Sequence, residues 1–233
     1  MKRSLLPVFV LFTTITVLGQ TPTLTQKEAW SRLHVIKNIS AKERIGLLLE
    51  DRHYLDPWRS HMELVELSYQ RQLGKFRSAL HGTYLVFTLP HDPHVSETTK
   101  KYELRAQQSV TRSWTWGKKH RVWFRAMLEE RFFRTPQADE PSHFHFTYIR
   151  SRNRVGYSFQ ILEPLKFMIS DEWMIQANTR LKARFDQNRL DAIFRWQWTP
   201  ALATDLGYLH WYQKTQSVNY SRHTLRTALV INF

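Results

Sequence analysis

The chain has 233 residues, a formal net charge of +14 at pH 7, 14% aromatic residues including 9 Trp, and no cysteine. The missing cysteine excludes disulfide frameworks, thiolate metal sites and lipid attachment at a cysteine, and 7 Gly leave little for a phosphate-cradling loop. The basic residues are scattered at alternating positions rather than gathered in a block, so the charge does not point to nucleic acid.

Lys2 and Arg3 precede an apolar run from Leu5 to Leu18, followed by Gly19 and polar Gln20-Thr21-Pro22. This is the layout of a cleaved secretory signal over residues 1–19, and the run is shorter than the ~20 apolar residues of a membrane helix. Residues 20–43 are ambiguous: Gln26 to Ser40 reads as a short strand or as a periplasmic lead-in. From 44 to 233 the chain alternates apolar and polar residues with a period of two, which predicts strands.

The first of these strands carries Ile45, Leu47 and Leu49 against Glu50 and Arg52, and ends at Asp56-Pro57. The second carries Val65, Leu67 and Tyr69 against Glu66, Ser68 and Gln70, and turns at Gly74-Lys75. A strand from Phe76 to Leu89 leads into a loop with Pro90 and Pro93. Two more follow, 99–116 and 121–134, joined by Gly117-Lys118-Lys119. After a loop containing Pro136 and Pro141, the stretch from His143 to Gln160 changes phase near Tyr148, which predicts a bulge. The remaining strands are 167–177, 188–199, 202–214 and the C-terminal stretch from Ser221 to Phe233. In that last stretch Leu225, Leu229, Ile231 and the terminal Phe alternate with Arg226, Ala228 and Val230.

Connections alternate between short ones (Gly74, Gly117, Glu163-Pro164, Pro200) and longer polar ones, among which Pro57 is counted. Short turns on one side and long loops on the other are the habit of outer-membrane barrels. The expected fold is therefore all-β: an antiparallel up-and-down transmembrane β-barrel of about ten strands, within a range of about 8 to 12. An even strand number would put both termini in the periplasm. Trp114, Trp116, Trp196 and Trp198 are expected in a girdle beside the short turns, and Tyr54, Phe87, Phe132, Phe133 and Tyr212 in one beside the long loops. A C-terminal Phe after alternating apolar residues resembles the insertion signal of outer-membrane barrels, which makes Phe233 a candidate for that role.

The polar face repeats a carboxylate two residues before an arginine: Glu50 and Arg52, Glu103 and Arg105, Glu129 and Arg131. At period two each pair shares one side of its strand. With Arg150, Arg152, Arg154, Glu172, Arg189, Arg195 and Asp205 these residues form a candidate lumen charge ladder, either structural or anion-binding. Facing lipid, each arginine would cost about 2–4 kcal/mol at the midplane, so the lumen is the cheaper side. A barrel of this size is mostly filled by its own side chains, and an open porin is not expected.

A hydrolase at the extracellular rim is the competing reading, with Ser221 or Ser142 as nucleophile and His223, His143 or His145 as base. No Gly-x-Ser-x-Gly elbow and no His-Glu-x-x-His motif supports it. His143 and His145 share a strand side but lack a third metal ligand. No catalytic residue, metal or cofactor is therefore assigned, and the protein is not read as an enzyme. A soluble periplasmic β-barrel binding an apolar ligand is the other alternative.

The order of features resembles the domain of unknown function 2490 family. The features are Trp30, the three Glu-x-Arg pairs, Arg150-x-Arg152-x-Arg154, Glu172-Trp173, Phe185 to Leu190 (FDQNRL) and Leu206-Gly207-Tyr208. The resemblance runs from Trp30 to Phe233 and is most specific at Gln187-Asn188-Arg189-Leu190 followed by Gly207-Tyr208. It implies an uncharacterised outer-membrane β-barrel of Gram-negative bacteria and supplies no activity or catalytic residue. The expected protein is thus a small outer-membrane barrel with a charged, mostly filled lumen and a structural, adhesive or narrow-pore role. It would reach the outer membrane after export to the periplasm. Its expected partners are outer-membrane lipid and, during insertion, the barrel-assembly machinery, with no nucleic acid.

Overall fold

A period-two pattern forces successive side chains to opposite faces, and closing such strands on themselves gives one face a lumen and the other a surround. The computed structural model of the protein describes residues 22–134, 143–178, 183–215 and 217–233; the expected signal segment 1–19 and Ser142 lie outside them. The strands are β1 (Thr23–Asn38), β2 (Glu43–Leu55), β3 (Trp58–Leu73), β4 (Phe76–Leu89), β5 (Thr99–Trp116), β6 (His120–Arg134), β7 (His145–Leu162), β8 (Leu165–Asn178), β9 (Ala183–Thr199), β10 (Leu202–Gln213) and β11 (Asn219–Asn232). They form one closed barrel, each strand antiparallel to its sequence neighbours, with β1 closing on β11 in parallel. Among the described residues no helix is long and apolar enough to cross a membrane.

Eleven strands is close to the expected ten, and the extra one is β1. The stretch read as a lead-in or short strand is a full 16-residue stave. Its alternation hides because the outward residues at its start, Lys27, Ala29 and Ser31, carry no apolar stripe, while Gln26, Glu28 and Trp30 on the other side are buried. The odd count also means that the two ends of the barrel do not share one mouth, as an even count would have had it. Thr23 pairs with Asn219 and Ile36 with Asn232, so β1 starts at the long-loop mouth while Phe233 lies at the short-turn mouth. There the Phe233 amide donates to the Ile36 carbonyl at 3.0 Å, and the Asn38 amide to the Phe233 carbonyl at 2.8 Å.

The turns at 39–42, 74–75, 117–119, 163–164 and 200–201 share the short-turn mouth. The connection at Asp56-Pro57, expected among the longer loops, is a two-residue turn at the opposite mouth. The phase change near Tyr148 is a bulge: Tyr148 pairs with Arg131 and Phe146 with Phe132, leaving Thr147 unpaired.

Outside, Leu49, Val65, Leu67, Leu80, Phe124, Leu190, Phe194 and Leu225 are exposed, with Leu67 63% accessible. At about 3.3 Å per residue, even a 12-residue strand exceeds the ~30 Å of a bilayer's hydrocarbon core. Trp114, Trp116, Trp196 and Trp198 are exposed beside the short turns as expected. Tyr54 and Phe133 are buried, and Phe87 packs against the buried cluster of Met62, Leu64 and Leu85, so these three do not belong to the opposite girdle. They share the inward phase of Arg52, Arg131 and Leu85 on their strands, and alternation left them no other direction.

Candidate functional site: the charged lumen

Every residue of the predicted ladder points inward, where the barrel register joins strands that are distant in sequence. Three stacked cavities mark the lumen, of about 410, 150 and 330 Å³ from the long-loop mouth to the short-turn mouth. Arg52, Arg105 and Arg189 line both the first and the second, and His81 and Arg125 line both the second and the third. These side chains are the partitions.

Near the long-loop mouth, Glu28 is wholly buried on β1. It accepts from Trp30 Nε1 at 2.8 Å and lies 2.9 Å from His61 Nδ1 and 3.2 Å from Arg222 Nε. Arg222 also donates to Gln26 and Gln213, each at 2.8 Å, and stacks over Trp211 at 4.3 Å. The loop after β4 folds over this group. Arg59 donates to the carbonyls of Asp92 at 2.9 Å and Val95 at 2.7 Å, and Gln26 to that of His91 at 2.5 Å. The His91 ring packs edge-on to His61 and Tyr220. Burial beside His61 and Arg222 lowers its pKa to about 3.

The middle of the lumen is a mesh of carboxylates, each shared by arginines from neighbouring strands. Glu103 receives paired hydrogen bonds from Arg105 (2.7 and 3.1 Å) and Arg131 (2.5 and 3.0 Å). Glu129 is bonded by Arg150, by Arg152 at 3.1 Å and by Gln107 at 3.0 Å. Glu172 accepts from Arg125 at 2.7 Å and from Arg152 at 3.1 and 3.2 Å. Asp191 pairs with Arg154 at 2.8 Å and with Arg226. Glu50 pairs with Arg52 at 2.5 Å and with Arg32. Fully buried charges are tolerated only when partners and hydrogen bonds replace lost water, and this mesh supplies them.

Two of the three sequence pairs close within their own strand. The third does not: Arg131 lies 3.7 Å from Glu129 and gives its short bonds to Glu103. Arg189 stands apart. It lies over Trp211 at 4.6 Å and Trp30 at 5.6 Å, and among the described residues its side chain has no hydrogen-bond or ion-pair partner. Arg195 and Asp205 form a two-bond pair (2.6 and 2.7 Å) near the short turns, apart from the central mesh.

Glu28, His61, Asp191, Trp211, Arg222 and Arg226 join the network although the predicted ladder did not include them, and so do Trp30 and Asp186, which the sequence offered only as marks of the family resemblance. Arg222 and Arg226 carry the same period-two signal as the ladder, flanking Thr224 on the inward face of β11. His61 carries none. It turns inward because a bulge between Arg52/His53 of β2 and the start of β3 buries both His61 and Met62.

Among the described rim residues, Ser221 meets a different histidine from the one expected. Ser221 Oγ lies 3.0 Å from His210 Nε2, while His223 Nδ1 faces the Tyr208 hydroxyl at 2.5 Å. Ser221 therefore pairs with His210 rather than His223, and among the described residues no carboxylate orients either ring. His143 and His145 contact each other through the His143 carbonyl, 3.3 Å from His145 Nδ1. Among the described residues no group of three His, Asp or Glu could hold a metal ion.

The family described as "Protein of unknown function (DUF2490)" matches residues 27–222. No curated protein matches the sequence. Among solved structures the chain is similar to "Outer-membrane expressed OmpT of Vibrio cholerae", at 11% identity over 73% of this chain and 55% of that one, with a TM-score of 0.39. It is also similar to "OmpT (in-vitro folded), an outer membrane protein of Vibrio cholerae", at 10% identity over 73% of this chain and 54% of that one, with a TM-score of 0.36. The chain thus spans about half the length of the solved structures it matches.

Proposed function

The chain belongs to the DUF2490 family of proteins of unknown function, and we propose that it is an outer-membrane β-barrel whose lumen is closed to free diffusion, serving a structural or adhesive role rather than an enzymatic one. The observation that carries this reading is the mesh of shared carboxylates around Glu129 and Glu172, which fills the middle of the lumen. The exposed apolar band outside supports outer-membrane lipid as the surrounding medium. With the short turns facing the periplasm, Phe233 sits where the barrel-assembly machinery of a Gram-negative cell would meet it during insertion.

The test is conductance. Refolded in detergent, the protein is expected to run as a heat-modifiable band on SDS gels, and in planar bilayers to show no porin-like steps. Large, stable conductance steps from the heat-modifiable species would overturn the closed lumen. Solubility without detergent and no band shift would overturn the membrane assignment itself. For the non-enzymatic role, a fluorophosphonate probe is expected to leave Ser221 unlabelled. Labelling that His210→Ala abolishes would establish a rim hydrolase instead.

A further inference from the structure

The cavity at the short-turn mouth differs in kind from the mesh above it. It is lined by Arg44, Arg77, Arg121, Arg125, Lys166 and Arg195 and by no carboxylate. Arg125 and Arg195 are already neutralised by Glu172 and Asp205. The other four are not: Arg44 donates to the Gln70 amide oxygen (2.9 and 2.6 Å) and Arg121 to the Ser113 hydroxyl (2.7 Å). Arg77 and Lys166 have no side-chain hydrogen-bond or ion-pair partner among the described residues.

The register explains how they meet. Each lies within a few residues of a different short turn: Arg44 after 39–42, Arg77 after 74–75, Arg121 after 117–119, Lys166 after 163–164. Arg121 faces Ser158 across β6–β7, and Lys166 faces Arg195 across β8–β9. The barrel wall therefore turns four charges from four hairpins onto one cavity at the barrel's mouth. Like charges held together beside low-dielectric walls repel, and a counter-anion relieves that repulsion. In the central mesh the protein supplies carboxylates for that purpose; here it leaves about 330 Å³ open.

We propose that this vestibule is a binding site for a small multivalent oxyanion of the phosphate or pyrophosphate class. Guanidinium forks match the geometry of phosphate oxygens, and a lysine adds a point charge. The volume admits a phosphate or diphosphate group and its immediate substituent. The site depends on the closed barrel alone; its exposure to the periplasm rests on the orientation proposed above.

The test is titration calorimetry of the detergent-refolded, heat-modifiable protein with inorganic pyrophosphate. Saturable binding is expected, weakened about tenfold or more by Arg77→Gln combined with Lys166→Gln. Lys118→Gln with Lys119→Gln, on the adjacent turn but outside the cavity lining, removes as many charges and is expected to leave the affinity within about twofold. Should the Arg77/Lys166 variant not refold, Ser158→Asp places a carboxylate opposite Arg121 and is expected to weaken binding similarly. No saturable binding, or equal weakening by the Lys118/Lys119 control, would overturn the site while leaving the barrel reading intact. Displacement by lysophosphatidate well ahead of glycerol phosphate assigns the anion to a lipid headgroup; equal displacement assigns it to a soluble solute.

Discussion

Removing the Glu129 charge leaves Arg150 with Asp186 and Arg152 with Glu172 as remaining carboxylate partners. Breaking a buried pair from one side costs about 3–5 kcal/mol, because the surviving charge stays out of water. Glu129→Gln keeps the volume, and the remaining partners place it at the lower end, about 3 kcal/mol. Urea unfolding in detergent checks this, with Glu97→Gln in the exposed loop expected to stay within about 0.5 kcal/mol.

His91 gives a pH dependence of definite sign. Its pKa falls from 6.5 to about 3 in the folded chain, so the unfolded chain binds the extra proton between those values and stability declines as pH drops through that window. The groups facing it are His61 of β3, Glu28 of β1, Lys101 of β5, and Tyr220 and Arg222 of β11. Between pH 6.5 and 5 the loss is about 2 kcal/mol, and His91→Asn is expected to flatten it. An unchanged slope in that variant would locate the titration elsewhere.

At this scale the inward direction of the ladder was legible, because a charge at period two has one cheap side. The partner of each charge was not. Arg131 turns to Glu103 rather than Glu129 only because Arg105 and Arg131 lie opposite each other in the β5–β6 register, a fact no single strand contains.

Strands become readable when their outward half is apolar, and they disappear from view when it is not. β2 announces itself through Ile45, Leu47 and Leu49; β1, with Lys27, Ala29 and Ser31 outward, does not. Bulges erase the signal in another way, since one extra residue reverses the phase, and His61 was hidden by such a shift. The outer band is testable on β3: Leu67→Arg is expected to cost about 2–4 kcal/mol if Leu67 meets the bilayer midplane. A loss below 0.5 kcal/mol in refolding titrations into lipid vesicles would contradict that exposure. On β7, a Cβ at Gly156 would overlap the Trp123 ring. Gly156→Ala must displace that indole, which lines the short-turn cavity, at an expected cost of about 1–3 kcal/mol and with a shift in Trp emission. Close approach of this kind leaves no trace in hydropathy.

At the scale of the whole molecule, the count of strands decides what alternation alone leaves open. Short and long connections already indicate which mouth is which, but a single missed strand moves the start of the barrel from one mouth to the other. The β1–β11 seam joins residues up to 197 apart in sequence, and its parallel hydrogen bonds are slanted rather than straight across. Closure across so large a loop carries the highest entropy cost of any pairing in the chain, so the ten antiparallel pairings, each between sequence neighbours, are expected to form first. Pulse-labelling of backbone amides during refolding checks the order, and early protection of Phe233 and Asn38 would reverse it.

A parallel seam also governs how the chain could be rewired. In a barrel with an even number of staves, the ends of the first and last strand sit side by side, and a tight turn can fuse them so that new ends are cut elsewhere. Here Thr23 and Phe233 stand at opposite mouths, separated by the length of the pairing from Thr23 to Ile36, which is about 45 Å of extended chain. A fusion of a few residues cannot cross that distance, the mesh around Glu129 and Glu172 stands in the inner route, and the outer route runs over the apolar band. Circular permutants of this barrel are therefore expected to need a linker of more than about a dozen residues, with a hydrogen-bonded conformation of its own.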